Sequence, residues 1–241
     1  MSENIYDAVS TFSKYEPILE GYFTGSDPHI NEWCNSNAES FAKYGVKGKK
    51  IICEISIKYL EQIKQNQDNN YISNGCKYLY YRIYENIQEE SEYSDITFNF
   101  YKKLLEEYVY KKISILKDNT EKINNDIFGK LKNLKELYDN FYKYEKKKVC
   151  GDDSCGCAEK CAEIYKTYLE ECNREYYSPF CVELQKFGEK FNEDIRGNDD
   201  CNQKIEELQL FNKCNSRIVI IGSGVVLAVI VFSLFALFKV S

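Results

Sequence analysis

Apolar residues along this chain recur at helical intervals. Ile127, Leu131, Leu134, Tyr138 and Phe141 follow one another at alternating steps of four and three, and Ala158, Cys161, Tyr165, Tyr168 and Cys172 do the same with the order inverted. Phe180, Leu184, Phe187 and Phe191 carry a third stripe, and Tyr101, Leu104, Leu105 and Tyr108 a fourth. Such spacing places side chains on one face of a 3.6-residue helix, and stripes only two or three heptads long fit a bundle core better than an extended coiled coil. Residues 50–63 also alternate from Ile51 to Tyr59, but no turn signal pairs them with a second strand, so they too read as helix. The expected fold is all-α, a helical bundle.

Two further stretches stand out. Residues 158–173 and 180–195 read as antiparallel helices joined around Ser178 and Pro179, and Ile205, Leu208 and Phe211 suggest one more helix after the break at residues 194–200. Beyond it, 21 uncharged residues bounded by Ile218 and Phe238 lie between Arg217 and Lys239. A helix of that length spans roughly 30 Å, the thickness of a bilayer's hydrocarbon core, so a single C-terminal transmembrane helix is expected. Only Lys239, Val240 and Ser241 follow it. The division that results is a helical region at 1–148, a cysteine-rich hairpin module at 149–216, a membrane helix at 217–239 and a residual tail at 240–241.

Eleven cysteines change the picture most. Eight of them fall between Cys150 and Cys214, a density that fits a disulfide-braced module in an oxidising compartment. Cys172 and Cys181 are equidistant from the turn at Ser178 and Pro179, so a bridge between them is expected. Cys34, Cys76, Cys150, Cys155, Cys157, Cys161, Cys201 and Cys214 are expected to be bridged as well. Cys53, in the apolar run of residues 51–55, is the candidate for a buried thiol. The rival chemistry is zinc, because Cys150, Cys155, Cys157 and Cys161 offer four thiolates within twelve residues. Their spacing is irregular beside the paired Cys-x2–4-Cys of structural zinc sites, and disulfides are the expectation.

Charge and the remaining motifs mostly exclude. The chain carries a net charge of −6, which argues against nucleic acid as a partner. The one histidine, His29, leaves a nucleophile with a single possible base. Gly45-Val-Lys-Gly48-Lys-Lys is too short for a P-loop. No catalytic residue, cofactor or metal is expected, and the chain does not read as an enzyme. The 21 tyrosines sit mostly at helical spacing and read as core. The excess of 28 lysines over 4 arginines follows A/T-rich codons. Residues 1–12 lack the apolar run of a cleavable secretory signal, so the C-terminal span would serve as the targeting signal. Gly224 and Ala228 within that span form a small-xxx-small pair that would permit weak helix-mediated self-association.

The run Cys76-Lys-Tyr-Leu-Tyr-Tyr-Arg-Ile-Tyr84 resembles the Cys-x-Tyr-Leu-x-Tyr-Trp-Leu-Tyr core of the Plasmodium interspersed repeat (pir) superfamily, whose branch in vivax malaria is called Vir. Leu137-Tyr-Asp-Asn-Phe-Tyr-Lys-Tyr144, and Tyr168-x3-Cys172 followed by Phe180-Cys181-x-Glu-Leu184, extend the likeness. The resemblance implies a mostly helical variant surface antigen, exported to the infected red cell or its internal membranes. It would act in antigenic variation, immune evasion and adhesion, with host-cell surface proteins or antibodies as partners. Arg82 departs from the family's usual Trp, and three residues after the span depart from its usual cytoplasmic segment. The alternative reading is a tail-anchored cytosolic scaffold or trafficking protein on an internal membrane.

Overall fold

The computed structural model describes residues 4–21, 29–30, 32–36, 49–87, 94–108, 121–151, 155–197, 201 and 204–211. A 3-10 helix, Tyr6–Thr11, runs into α1 (Phe12–Glu20). There follow α2 (Lys49–Ile63), α3 (Asn69–Ile87), α4 (Ser94–Tyr108) and α5 (Asn125–Glu145). The chain then forms α6 (Cys155–Thr167), the short α7 (Leu169–Arg174) and α8 (Pro179–Arg196). Among the described residues there is no strand, and the protein is helical as its periodicity predicts, including across residues 50–63.

Helix α3 is the centre. Cys76, Tyr78, Leu79, Tyr80, Tyr81, Ile83 and Tyr84 are all buried, leaving almost no solvent face, as befits a helix apolar nearly all round. It is wrapped by the 3-10 helix, α1, α2, α4 and α5, which bring polar partners to its tyrosine-rich surface. Tyr59 donates to the Gly75 carbonyl at 2.9 Å, Tyr15 to the Tyr71 carbonyl at 2.7 Å, and the Ile123 N–H donates to Tyr80 Oη at 3.0 Å. The close approach of these rings needs a glycine: a Cβ on Gly75 would lie 2.9 Å from Ile63 and 3.0 Å from Tyr15. Arg82, where the resembling family has Trp, instead faces Glu85 at 3.3 Å and Glu16 at 3.8 Å.

Local signals set the ends of the later helices. Asn124 caps α5, its side chain accepting from the Ile127 N–H at 2.9 Å, and Ser178 caps α8 by accepting from the Cys181 N–H, with Pro179 in the first turn. Ile5 to Phe211 contribute to one hydrophobic core, so the regions 1–148 and 149–216 are not separately packed. Tyr6, in the N-terminal 3-10 helix, packs edge-on against Phe180 of α8 at 5.4 Å, joining the first residues to the hairpin.

Two elements differ from expectation. The helix expected over 158–173 breaks at Tyr168, whose ring packs edge-on against Phe180 at 4.7 Å while its hydroxyl accepts from Asn133. Residues 205–211 form no helix but an extended strap lying on α8. Ile205, Leu208 and Phe211 are buried as expected; a spacing of three serves an extended threefold chain as well as a helix. The expected membrane helix between Ile218 and Phe238, with Gly224 and Ala228, lies outside the described residues. Among the described residues no helix is long and apolar enough to cross a membrane.

Candidate functional site

The register of α5, α6 and α8 gives the C-terminal half two distinct ends. Lys130 of α5 lies over the Phe180 ring, Tyr138 meets Glu183, and Glu145 meets Lys190, so α5 and α8 run parallel. The Asn133–Tyr168, Leu137–Cys161 and Lys148–Cys157 contacts make α6 antiparallel to α5. One end therefore gathers the loop after α5, the start of α6 and the end of α8. The other gathers the turn between α7 and α8.

The first end is covalently stapled. Cys150 joins Cys157, and Cys155 joins Cys201, with Cα atoms 5.0 and 5.6 Å apart. Between α5 and the bridges the chain turns through positive φ at Lys147 (52°) and Gly151 (84°), presenting Val149 with 70% of its surface exposed. Lys146 and Lys148 each stand 5.7 Å from the Tyr142 ring centroid, which is itself exposed. This end combines apolar, aromatic and cationic groups on a backbone held in place by two bridges. The other end is held by Cys172–Cys181 across the hairpin, Cα atoms 5.3 Å apart.

The remaining cysteines revise the sequence reading. Cys53 is no thiol: it bridges Cys34, which a short helical stretch at residues 32–36 carries to within 5.8 Å Cα–Cα. Its apolar surroundings signalled burial, which half-cystines share with thiols. Cys76 and Cys161, expected in bridges, are buried thiols. Cys161 donates to the Leu137 carbonyl at 3.4 Å, and burial, with Glu136 adding to it, pushes its thiol up to about 12. Cys76 sits in the core of α3, interacting with the Tyr15 and Tyr59 hydroxyls. Cys214 lies outside the described residues. The four thiols weighed for zinc are thus divided, three into disulfides. Among the described residues no three His, Cys, Asp or Glu side chains are grouped to hold a metal.

A cleft of about 490 Å³ opens between the 3-10 helix, α5 and α8, lined among others by Asp7, Ser10, Tyr138, Glu145, Glu183 and Lys190. Its polar groups are engaged with one another. Tyr138 donates to Glu183 at 3.0 Å and Lys186 donates to the other Glu183 oxygen at 2.9 Å, while Lys190 pairs with Glu145 at 2.9 Å over the Phe141 ring. Burial, then the Glu183 charge and hydrogen bond, drive the Tyr138 hydroxyl far above the ordinary phenol range. The hydrogen bond to Glu183 raises Lys186. A base this committed to two donors, with no neighbouring nucleophile, serves packing rather than proton transfer.

Sequence reasoning missed the buried polar residues of α8. Asn192 donates to the Leu208 carbonyl at 2.8 Å and accepts from the Leu208 N–H at 2.6 Å; Gln185 accepts from the Phe211 N–H at 2.9 Å. Asn192 and Gln185 are seven positions apart on α8, about 10.5 Å of rise. Leu208 and Phe211 are three apart, about 10 Å of extended chain, so the strap runs antiparallel to α8 in matching register. The available signal was two polar amides seven residues apart on a helix face otherwise apolar. Phe211 stacks on Tyr165 at 5.3 Å and 4°, closing the strap onto α6.

Comparison with family models, curated proteins and solved structures finds no match to this chain.

Proposed function

We propose that the chain is a membrane-held recognition module of the pir type. In this reading it is a variant surface antigen of the infected red cell that presents a braced helical domain for antigenic variation, immune evasion and adhesion. The observation that carries this is the set of four disulfides, which involves eight of the eleven cysteines and belongs to an oxidising compartment. The stapled end, with Val149, Tyr142 and Lys146 to Lys148, suits presentation outward. Two bridges hold its backbone, so its exposed side chains can differ without loss of the fold beneath.

Alkylation of intact infected cells followed by non-reducing mass mapping tests the reading. Oxidised Cys150–Cys157, Cys155–Cys201 and Cys172–Cys181, with the domain cleaved by protease added outside, supports display. Eight reduced thiols and full protection would establish the alternative, a tail-anchored scaffold on an internal membrane facing the cytosol.

A further inference from the structure

The strap has a direction. It leaves Cys201 at the stapled end, passes Asn192 at Leu208 and reaches Gln185 at Phe211, so it travels toward the turn between α7 and α8. Ser178 lies seven positions before Gln185, about 10 Å further along the same axis. From Phe211 to Ile218, where the uncharged stretch begins, there are seven residue steps, at most about 25 Å of chain. The start of that stretch is thus tethered near the hairpin turn and away from the two bridges.

That turn carries exposed apolar surface. Tyr177 is 87% exposed and Val182 39%, and the Tyr176 ring packs edge-on against Tyr177 at 4.9 Å, with Cys172–Cys181 fixing the backbone between. Nearby charge is mixed and self-paired: Arg174 with Glu170, and Glu171 with Lys130. An anionic surface gains nothing from such a patch. Tyrosine, with an apolar ring and a hydroxyl tip, suits the boundary between headgroups and hydrocarbon.

We propose that this turn is the membrane-facing end of the domain, and that Tyr177 and Val182 seat in the interface of a zwitterionic bilayer. The inference rests on the membrane-held reading and adds an orientation to it: the stapled end is distal, and the cleft faces sideways.

The full chain, reconstituted in phosphatidylcholine vesicles with and without brominated acyl chains, provides the test. Tyr177→Trp and Val149→Trp each place a reporter at one end, with the wild-type Trp33 signal subtracted. The proposal expects about twofold quenching of the reporter at 177 by bromolipid and none at 149. Replacing part of the phosphatidylcholine by phosphatidylserine should leave the quenching unchanged. Vesicle flotation without quenching at 177 overturns the docking while leaving the anchor intact. Failure to float with vesicles overturns the anchor and the docking together. Blue-shifted emission at 177 that bromolipid does not quench assigns the patch to the chain's own C-terminal segment, and stronger quenching at 149 inverts the orientation. Either result overturns the proposal.

Discussion

Replacing Asn192 by alanine removes the side chain that satisfies both backbone groups of Leu208. The amide is 2% exposed, and its two bonds, at 2.6 and 2.8 Å, are inaccessible to replacement by solvent unless the strap lifts. Each orphaned buried group costs about 1–3 kcal/mol, so the variant should lose about 3 kcal/mol. For a domain of this size that is a fall in Tm of about 6–12 °C. Gln185→Ala orphans only the Phe211 N–H and should cost about half as much. Urea denaturation of the full chain in detergent under non-reducing conditions, followed by circular dichroism, gives the stabilities. Hydrogen exchange reads the strap directly: the Leu208 amide should lose protection first in Asn192→Ala, while amides in α3 keep theirs. A loss below about 0.5 kcal/mol with Leu208 still protected would refute the clamp.

Three other measurements bear on the packing. In the chain-entropy account, Cys155–Cys201, closing a separation of 46 residues, stabilises by about 4 kcal/mol and Cys172–Cys181, separation 9, by about 2.5 kcal/mol. Paired Cys→Ser variants in urea should keep that order. Gly188→Ala sets a Cβ 2.9 Å from the Tyr165 hydroxyl and 3.1 Å from Leu210, and should cost about 1–3 kcal/mol in the same assay. The Cys161 thiol, raised from 9.0 to about 12, lends stability that is complete below pH 9 and drains away as pH climbs toward 12. The buried hydroxyls of Tyr6, Tyr15, Tyr59, Tyr78, Tyr80, Tyr81, Tyr138 and Tyr165 are raised mainly by burial and act in the same sense. Ultraviolet titration should show them ionising only together with unfolding, and Cys161 should resist a thiol reagent at pH 8 until denaturant is added.

What could be read in the sequence and what could not divides along physical lines. Helices follow from periodicity because a buried face must repeat with the helix turn, and α5, α6 and α8 announce themselves by Leu131, Tyr165 and Phe187 and their neighbours. Cys172 and Cys181 were legible because a short turn fixes which positions face each other. Cys34–Cys53 was not, since nothing local ties residues 32–36 to α2. Cys76 and Cys161 were misread because burial suits a thiol and a half-cystine alike, and only three-dimensional proximity separates them. The strap was misread because an interval of three belongs to two backbone shapes. Its true partners, Asn192 and Gln185, sit on another element. Nor does a count of cysteines reveal that the bridges gather at one end of the hairpin and leave the exposed tyrosine at the other.

The Cys155–Cys201 bridge has a mechanical consequence. A pull on the chain beyond Phe211 loads the strap along its own axis, straining the Asn192 and Gln185 bonds together rather than one after another. If they yield, peeling stops at Cys201. From there the tension crosses the sulfurs to Cys155 at the head of α6, and through Cys157 and Cys150 into the end of α5. Helix α8 and its hairpin are bypassed by the load path. A cell tugged by whatever grips this domain would lengthen a leash of about ten residues, at most about 35 Å, before any helix felt the force.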